Sequence, residues 1–567
     1  MTGTALDPSQ ELDACFTGIE RLCVERGIPV QRQLPAPEET VRFSATFDNE
    51  IWVLEVDCLG PKYSSLPKVR LLAPQPLLAH VSHAGVICTT DSQGLSIDPD
   101  RRVDVVVYAV GLAIDLLKAS LVDAAGGREE FYNEFEGYWH NMPTAFMARS
   151  NFEVNDQNRL LTGLVETRGK TYHWFFTEKD VPPPDEFRIK SAQKFRALYV
   201  AMAEPEGPPA PGQPLDMAYV ERVIARFTPE QTALWESLVG PTMNGTKQVT
   251  LFMAVPRRDG GLSVNGMAFH VHKRKLDAKA QVFPVNIRRH TVMHMRDRGG
   301  ASAELAKKHI VVFGCGSVGS EVADALASSG VGELTLVDPD TFTEDNVFRH
   351  VLGPVWVDRK KVNGLRANLT ARYPGVAVNP VDDYAQTWLQ KADLSAVDGI
   401  VIALGMPTVE RLILRQLREA GHDIPVVIAW LEPLDLGGHA IGVRLQGAGC
   451  LDCLYRDAEG VPDLIPRTAF LAPGQRVTKN LTGCASTFVP YGALQSRKTA
   501  LLATELMLDA LEGQPLPAYR FYSGKGTAAA EAGLQTTHWW QLAKSASSAE
   551  GTGLVFGRPC SHCRSKS

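Results

Sequence analysis

Four of the chain's ten cysteines sort by spacing alone: Cys450 and Cys453 in GCLDC, and Cys560 and Cys563 in PCSHC. Two C-x-x-C pairs are the usual ligand set of a tetrahedral structural zinc (Zn2+), because each short turn offers two thiolates to one face of the ion. The alternative is chance spacing of buried thiols. The long stretch between the pairs implies a clasp that ties the end of the chain back to a loop of the last domain. A second constellation lies in HIVVFGCGSVGSEVADALASSGVGELTLVDPD, residues 309–340. An apolar strand runs into Gly314, Gly316 and Gly319 in G-x-G-x-x-G order, a helix follows, and a second strand ends at Asp338. The glycines allow a tight turn and close approach of backbone to phosphate, while the helix N-terminus supplies free N–H groups and a positive dipole end. Asp338 follows the motif by about twenty residues, where a carboxylate binds a ribose hydroxyl.

Up to this point the motif suits a nicotinamide dehydrogenase as well as an ATP-consuming enzyme. The continuation VDPDTFTEDNVFRH separates them by adding Asp340, Asn346 and Arg349, with Lys361 further on in DRKKVNG. Hydride transfer needs no asparagine, arginine and lysine gathered at the phosphates. Attack on the α-phosphate of ATP does, because charge builds on the departing pyrophosphate. The plainer alternative for Asp340 and Arg349 is a solvated loop pair.

Two further thiols stand in settings that suit chemistry. Cys484 lies in a polar, small-residue loop, KNLTGCASTF, ahead of a Pro490-Tyr491-Gly492 turn and a long amphipathic helix. Cys88 lies in LLAHVSHAGVICTTDSQGLSIDPD, after a strand-and-turn region and before a helix. A thiolate is strongly nucleophilic, and a thioester keeps much of an acyl adenylate's reactivity; the alternative for each is a small buried cysteine. Cys15, Cys23 and Cys58 fall in apolar-periodic or strand contexts and read as packing residues. Cys315, inside the glycine turn, needs only to be small. No histidine has metal spacing.

The elements that must position these groups divide into three segments. At 567 residues the chain is too long for one core. Residues 1–145 open with an amphipathic stretch, ELDACFTGIERLCVERG. Strand-like VRFSATF, IWVLEVDCL and KVRLLA follow, and then helix-like DVVVYAVGLAIDLLKASLVDAA. Residues 146–288 read as mixed short strands and loops, with proline-rich breaks at DVPPPDEF and AEPEGPPAPGQPLD. Residues 289–567 alternate strand and helix patterns, as a Rossmann-like α/β fold does. There is no internal repeat. A hydrophobic content of 44% and a charged content of 22% describe an ordinary globular protein. The net charge of −6 gives no reason to expect nucleic acid as a partner. The N-terminus lacks the basic start and apolar core of a signal peptide, and no stretch is long enough to span a bilayer. The expectation is a cytoplasmic protein whose ten thiols are reduced.

The Asp338, Asp340, Asn346, Arg349 and Lys361 pattern resembles the adenylation signature of the ubiquitin-activating and ThiF-type superfamily. Paired zinc cysteines belong to the same family pattern. The resemblance implies that Asp338 binds ribose and that Asn346, Arg349 and Lys361 contact the triphosphate. It also implies that Cys484, placed ahead of the final helix, accepts the acyl group. One departure stands out: in DGIVIALGMPTVERL, Gly405 and Met406 lie about where the family carries an aspartate that helps hold magnesium. That leaves Mg2+ to Asp340 or another group. The first 140 residues resemble the ubiquitin-conjugating fold, in which a short segment with a histidine, a glycine and then the cysteine follows a β-meander. Its His-Pro-Asn triplet is absent, and His83 with Ser82 only approximates it.

A conjugating-type domain ahead of an activating domain is similar to the ubiquitin-transferase-like enzymes of antiphage CBASS operons. That likeness implies a multi-domain α/β protein with an α+β first domain, a mixed middle linker domain and a zinc-clasped Rossmann-like last domain. The implied chemistry is ATP-dependent adenylation of the C-terminus of a protein partner, in that family a cGAS-like nucleotidyltransferase. Transfer follows to Cys484, then to Cys88, and finally to a target lysine, in antiviral defence. Related activating enzymes are dimeric, often with an arginine reaching into the other subunit's ATP site, which makes the chain a homodimer with Arg289 and Arg296 as candidates. Three other readings stand beside this one: an activator of a small ubiquitin-like or sulfur-carrier protein that does no conjugation, a dinucleotide oxidoreductase, and a non-catalytic scaffold with a dead nucleotide site.

Overall fold

The structure is a computed structural model that describes residues 7–58, 65–74, 76–90, 94–122, 126–169, 171–183, 193–203, 206–240, 245–272, 275–456, 460–480 and 487–557, together with 560 and 563. It divides into two compact units, 1–291 and 292–567.

The first unit opens with helix α1 (Pro8–Glu25), whose Cys15, Ile19 and Cys23 are buried at helical spacing. An antiparallel meander follows: β1 (Val30–Arg32), β2 (Thr40–Phe47), β3 (Glu50–Asp57), β4 (Val69–Ala73) and β5 (Val86–Ile87). The β2–β3 connection is two residues, Asp48 and Asn49, both at positive φ (51° and 62°); a two-residue hairpin of this kind matches the right-handed strand twist. Helix α2 (Arg102–Val122) packs on α1, and Phe43, Trp52, Leu54 and Val110 lie fully buried in the shared core. The expected helices and strands of this region are all present.

The rest of the unit departs from the expected short strands and loops. Helices α3 (Gly126–Asn133) and α4 (Phe135–His140) lead into β6 (Phe146–Ser150), β7 (Arg159–Arg168), β8 (Thr171–Glu178) and β9 (Gln193–Ala201). Helices α5 (Met217–Ala225) and α6 (Pro229–Leu238) then precede β10 (Thr246–Pro256), β11 (Leu262–His272), β12 (Lys275–Leu276) and β13 (Phe283–Arg289). The order is β10-β9-β7-β8-β6-β13-β11-β12, and β10 also pairs with β11 over eleven residues. Seven strands therefore close into a ring. One buried cluster takes a residue from each of them: Ala148, Leu161, Phe176, Tyr199, Phe252, Val264 and Val285. A second cluster lies on the other face of β9, β10 and β11, with α4, α5 and α6 packed into it. Strands buried on both faces carry no in–out alternation, which is why the pattern looked broken in sequence.

The second unit begins with α7 (Val292–Gly299), then β14 (His309–Phe313), α8 (Ser317–Ser328), β15 (Glu333–Val337), α9 (Lys361–Arg372), β16 (Ala377–Val381), α10 (Ala385–Leu389), β17 (Gly399–Ile402), α11 (Pro407–Glu419), β18 (Pro425–Glu432) and β19 (Gly437–Arg444). A short pair, β20 (Lys479–Asn480) and β21 (Thr487–Phe488), precedes the long helix α12 (Ala493–Leu511) and β22 (Ala518–Ser523). The large sheet has the order β16-β15-β14-β17-β18-β19-β22, parallel through β18 and antiparallel beyond it. This is the expected doubly wound α/β architecture. Separate cores fill its two faces, one under α8, α9 and α12 and the other under α10 and α11. The chain runs one way from β14 to β15 and the other way to β17, so β14 and β17 flank a crevice at their carboxyl ends, where sheets of this type bind ligands.

Candidate active site and metal clasp

The three glycines sit at that crevice, and each is small for a different reason. Gly314 has φ +86°, and a Cβ there would meet the Ala403 carbonyl oxygen at 2.8 Å, across the turn that follows β17. A Cβ on Gly319 would lie 1.7 Å from the Gly314 carbonyl oxygen, so the third glycine lets helix and strand touch. Gly316, the N-cap of α8, has ordinary backbone angles, and its Cβ would meet nothing within 4 Å. No protein atom demands a glycine here. The space beside Gly316 at the α8 N-terminus is open.

Asp338 leaves the end of β15 and is buried beneath the turn. Its Oδ2 accepts the Cys315 N–H at 2.6 Å and its Oδ1 the Asp340 N–H at 2.8 Å. Lys361, the first residue of α9 and itself buried, donates from Nζ to Asp340 Oδ2 at 2.7 Å. A cation at a helix N-terminus is poorly placed unless anions gather there. Asp340 is one such anion, and ATP phosphates would be others. Asn346 Oδ1 accepts the Thr343 N–H and hydroxyl, both at 3.2 Å, and so shapes the turn leading to Arg349. The Arg349 guanidinium lies 5.0 Å above the centre of the Tyr491 ring, and among the described residues no carboxylate pairs with it. The structure thus brings Gly314, Gly316, Gly319, Asp338, Asp340, Asn346, Arg349 and Lys361 to one end of one sheet.

Two residues that the sequence did not single out complete the scaffold. His350 is buried; its Nε2–H donates to the Cys315 carbonyl at 2.8 Å, and its Nδ1 accepts the Leu352 N–H at 3.1 Å. Those two bonds require the neutral ring, and burial holds its pKa down to about 4. The only hint in the sequence is its adjacency to Arg349. Glu410, buried in the first turns of α11, accepts the Met406 N–H at 3.4 Å. Burial pushes its carboxyl up to about 7, while the N–H groups of residues 404–406 pull the other way. It braces the turn after β17, where the expected aspartate is missing and Met406 is exposed. Of Asp338, Asp340 and Glu410, only Asp340 has an exposed side chain (63%). Asp340 is therefore the carboxylate of the three most open to a divalent cation.

The four paired cysteines come together. Their sulfurs lie within 4.8 Å of one another and all four residues are buried. Cys563 to Cys450 is 3.2 Å, Cys450 to Cys560 is 3.5 Å and Cys453 to Cys563 is 3.6 Å. These separations exclude disulfides of about 2.05 Å and approach the roughly 3.8 Å edge that a tetrahedron of Zn–S bonds requires. Four soft, buried sulfur donors in two short turns fit Zn2+. The cluster sits in the core under α10 and α11.

Cys88 is exposed at the end of β5. Its N–H donates to the His80 carbonyl at 2.7 Å, and its Sγ lies 4.0 Å from the Thr90 carbonyl oxygen. His80 stands between Glu130 and Glu134, both at 3.2 Å, and these carboxylates raise its pKa to about 9, Glu134 most. His83, the nearest approach to the conjugating triplet, turns its Nε2 to the Gln213 carbonyl at 3.2 Å and packs edge-on to Tyr138. The Ser82 hydroxyl accepts the Val86 N–H at 3.1 Å. Cys484 lies outside the described residues.

Neither arginine expected to reach across a dimer is free to do so as the structure stands. Arg289 pairs with Glu136. Arg296 is buried and donates from Nη1 to the Gly330 carbonyl at 2.5 Å, satisfying an orphan acceptor just beyond the C-terminus of α8. Among the described residues, no helix is long and apolar enough to cross a membrane.

Comparison with known proteins agrees with this geometry. The ThiF family matches residues 290–524. Over 504 residues the chain is 23% identical to the ATP-dependent ubiquitin transferase-like protein Cap2 of Pseudomonas aeruginosa, covering 82% of this chain and 86% of that protein. Since 82% of the chain is more than the second unit holds, the likeness runs into the first. The Cap2 of Vibrio cholerae is 31% identical over 218 residues, which span 37% of this chain and about a third (36%) of that one. Among solved structures, Escherichia coli MccB with ATP aligns at a TM-score of 0.28 and 18% identity, covering 41% of this chain and 64% of that one. The C-terminal half thus contains a ThiF domain, and the chain is similar to Cap2 proteins through most of its length. The likeness to ThiF-type and ubiquitin-transferase-like proteins expected from the residues is borne out.

Proposed function

We propose that this chain is an ATP-dependent, ubiquitin transferase-like enzyme of antiviral defence, acting from the cytoplasm as a homodimer. Residues 1–145 form the conjugating-type domain, 146–288 the linker domain and 289–567 the activating domain. The observation that most supports this is the gathering of Asp338, Arg349 and Lys361 around an open glycine turn at the switch point of a ThiF-family sheet.

In this reading Asp338 holds the ribose of ATP, and the α8 N-terminus faces the phosphates. Arg349, Lys361 and Asn346 stabilise charge on the leaving pyrophosphate. An oxygen of the partner's C-terminal carboxylate attacks the α-phosphorus, and the bond from that phosphorus to the β-bridging oxygen breaks. When bound through Asp340, Mg2+ supplies further charge neutralisation at the phosphates. The Cys484 thiolate then attacks the acyl carbon and AMP departs. The Cys88 thiolate displaces Cys484, and a lysine amine, losing its proton, displaces Cys88 to leave an isopeptide. The partner in this reading is a cGAS-like nucleotidyltransferase, as the resemblance to the antiphage ubiquitin-transferase-like enzymes implies. Cys450, Cys453, Cys560 and Cys563 hold Zn2+ as a structural clasp.

The test is ATP–pyrophosphate exchange in the presence of the partner's C-terminal peptide. Asp338→Ala and Arg349→Ala should each lower it by at least about 100-fold, whereas Cys484→Ala should retain it, since adenylation precedes thiol attack. Cys88→Ala should trap a reductant-sensitive thioester on Cys484. Loading of Cys88 in the Cys484→Ala protein would overturn the order of steps. A second reading, activation without conjugation, draws support from the engagement of Ser82 and His83 away from Cys88. It predicts that Cys88 of the wild-type chain accepts no acyl group.

A further inference from the structure

Tyr491 is half-buried and makes contacts that the roles assigned above do not use. Its ring supports the Arg349 guanidinium at 5.0 Å, within the range of a cation–π contact. Its hydroxyl lies 2.9 Å from Ser317 Oγ, at the first residue of α8 and beside the open space in front of Gly316. The preceding Pro490 carbonyl accepts the Leu434 N–H at 2.9 Å, which anchors the turn that carries the ring. In sequence Tyr491 is seven residues beyond Cys484. One aromatic side chain therefore touches both the first residue of α8 and the Arg349 guanidinium.

We propose that Tyr491 is the positioning residue of Arg349 at the phosphate site. An arginine on a flexible stem loses side-chain entropy when it binds an anion. A ring beneath the guanidinium removes part of that cost beforehand, and the Ser317 bond fixes the ring. With no carboxylate pairing to Arg349 among the described residues, its charge stays available to the phosphates. The proposal rests on the adenylation reading for what Arg349 does, and on the contacts alone for how it is held.

A double-mutant cycle with Arg349 distinguishes positioning from general support. Binding of ATP with magnesium, measured by calorimetry, should weaken about threefold to tenfold in Tyr491→Ala, and exchange should fall with it. Tyr491→Phe, which keeps the ring, should recover most of the loss. On an Arg349→Ala background Tyr491→Ala should add nothing. Equal losses on both backgrounds, or wild-type affinity in Tyr491→Ala, would overturn the proposal. If Tyr491→Ala does not fold, Ser317→Ala gives the same cycle: a loss of about twofold that disappears on the Arg349→Ala background supports it, and a loss that persists refutes it. A wild-type chain that binds ATP without exchange sinks the adenylation reading while the affinity cycle still decides Tyr491. A chain that binds no ATP sinks both.

Discussion

In the second unit every group assigned to the nucleotide is held from the protein side before any ligand arrives. Asp338 is pinned by two backbone N–H groups, Lys361 by Asp340, Arg349 by an aromatic ring and the glycine turn by a neutral, buried histidine. In the first unit Cys88 stands exposed at the end of a two-residue strand, and the rings of the two histidines near it in sequence face other groups, His80 to Glu130 and Glu134 and His83 to Gln213. The difference follows the chemistry each has to serve. Stabilising charge on a leaving phosphate depends on donors that do not reorganise during reaction. In the proposed relay Cys88 would have to be reached first by the acyl donor and then by the target amine, which an exposed thiol permits.

The largest effect that would sharpen this contrast concerns the clasp. If the second unit's rigidity depends on a metal, purified protein should carry one tightly held zinc per chain. Cys453→Ser or Cys563→Ser should release it and lower the melting temperature by about 5 °C or more. Hydrogen exchange should show protection lost in β17, β18 and α11 and retained in the seven-stranded ring. Metal-stripped wild-type protein that melts like the zinc-loaded wild type would break the contrast, because the clasp would then be packing alone.

Glycines provide the next comparison, since the two units keep them for opposite reasons. A Cβ on Gly266 in β11 would meet Phe252 Cε1 at 2.6 Å and Val285 Cβ at 2.8 Å inside the ring. Gly266→Ala should therefore cost about 1–3 kcal/mol by overpacking, read as a fall in the denaturation midpoint. Gly316→Ala meets no protein atom and should change stability by no more than about 0.5 kcal/mol, yet weaken ATP binding at least about tenfold. If Gly316→Ala left ATP affinity intact, the space in front of α8 would not be a phosphate site.

That pair also shows what could be read in the sequence. The strand–glycine turn–helix–strand–acid run and the C-x-x-C pairs were legible because local spacing alone places their atoms: a parallel strand, a helix start and a short thiolate turn are each specified within a few residues. The ring was not, because β10 and β11 are buried on both faces and lose their alternation. Tyr491, His350 and Glu410 were missed because their work is defined by what folding brings against them. The bond from Arg296 to the Gly330 carbonyl was not legible for the same reason, since only the fold brings the two together.

The smallest effect separates the units by pH, through one histidine in each. His350 is buried and neutral with a folded-state pKa of about 4, below the usual value of about 6.5 for a free imidazole. Its contribution is complete above pH 6.5 and is lost as pH falls through 4, because the unfolded chain takes up a proton that the folded one refuses. His80 is the reverse case: Glu134 and Glu130 raise it to about 9, so its contribution is complete below pH 6.5 and is lost as pH rises through 9. Hydrogen exchange followed from pH 5 to pH 9, corrected for intrinsic rates, should show the α8–β15 region loosening at the acid end. The β5 segment and α4 should loosen at the alkaline end. His350→Gln should flatten the first trend and His80→Gln the second, each leaving the other untouched. Both glutamates beside His80 are partly exposed, so solvent screening makes the alkaline trend the weaker of the two. A single shared pH profile for both regions would mean that neither histidine governs its own surroundings. The contrast between a pre-built site and an open one would then need a different physical basis.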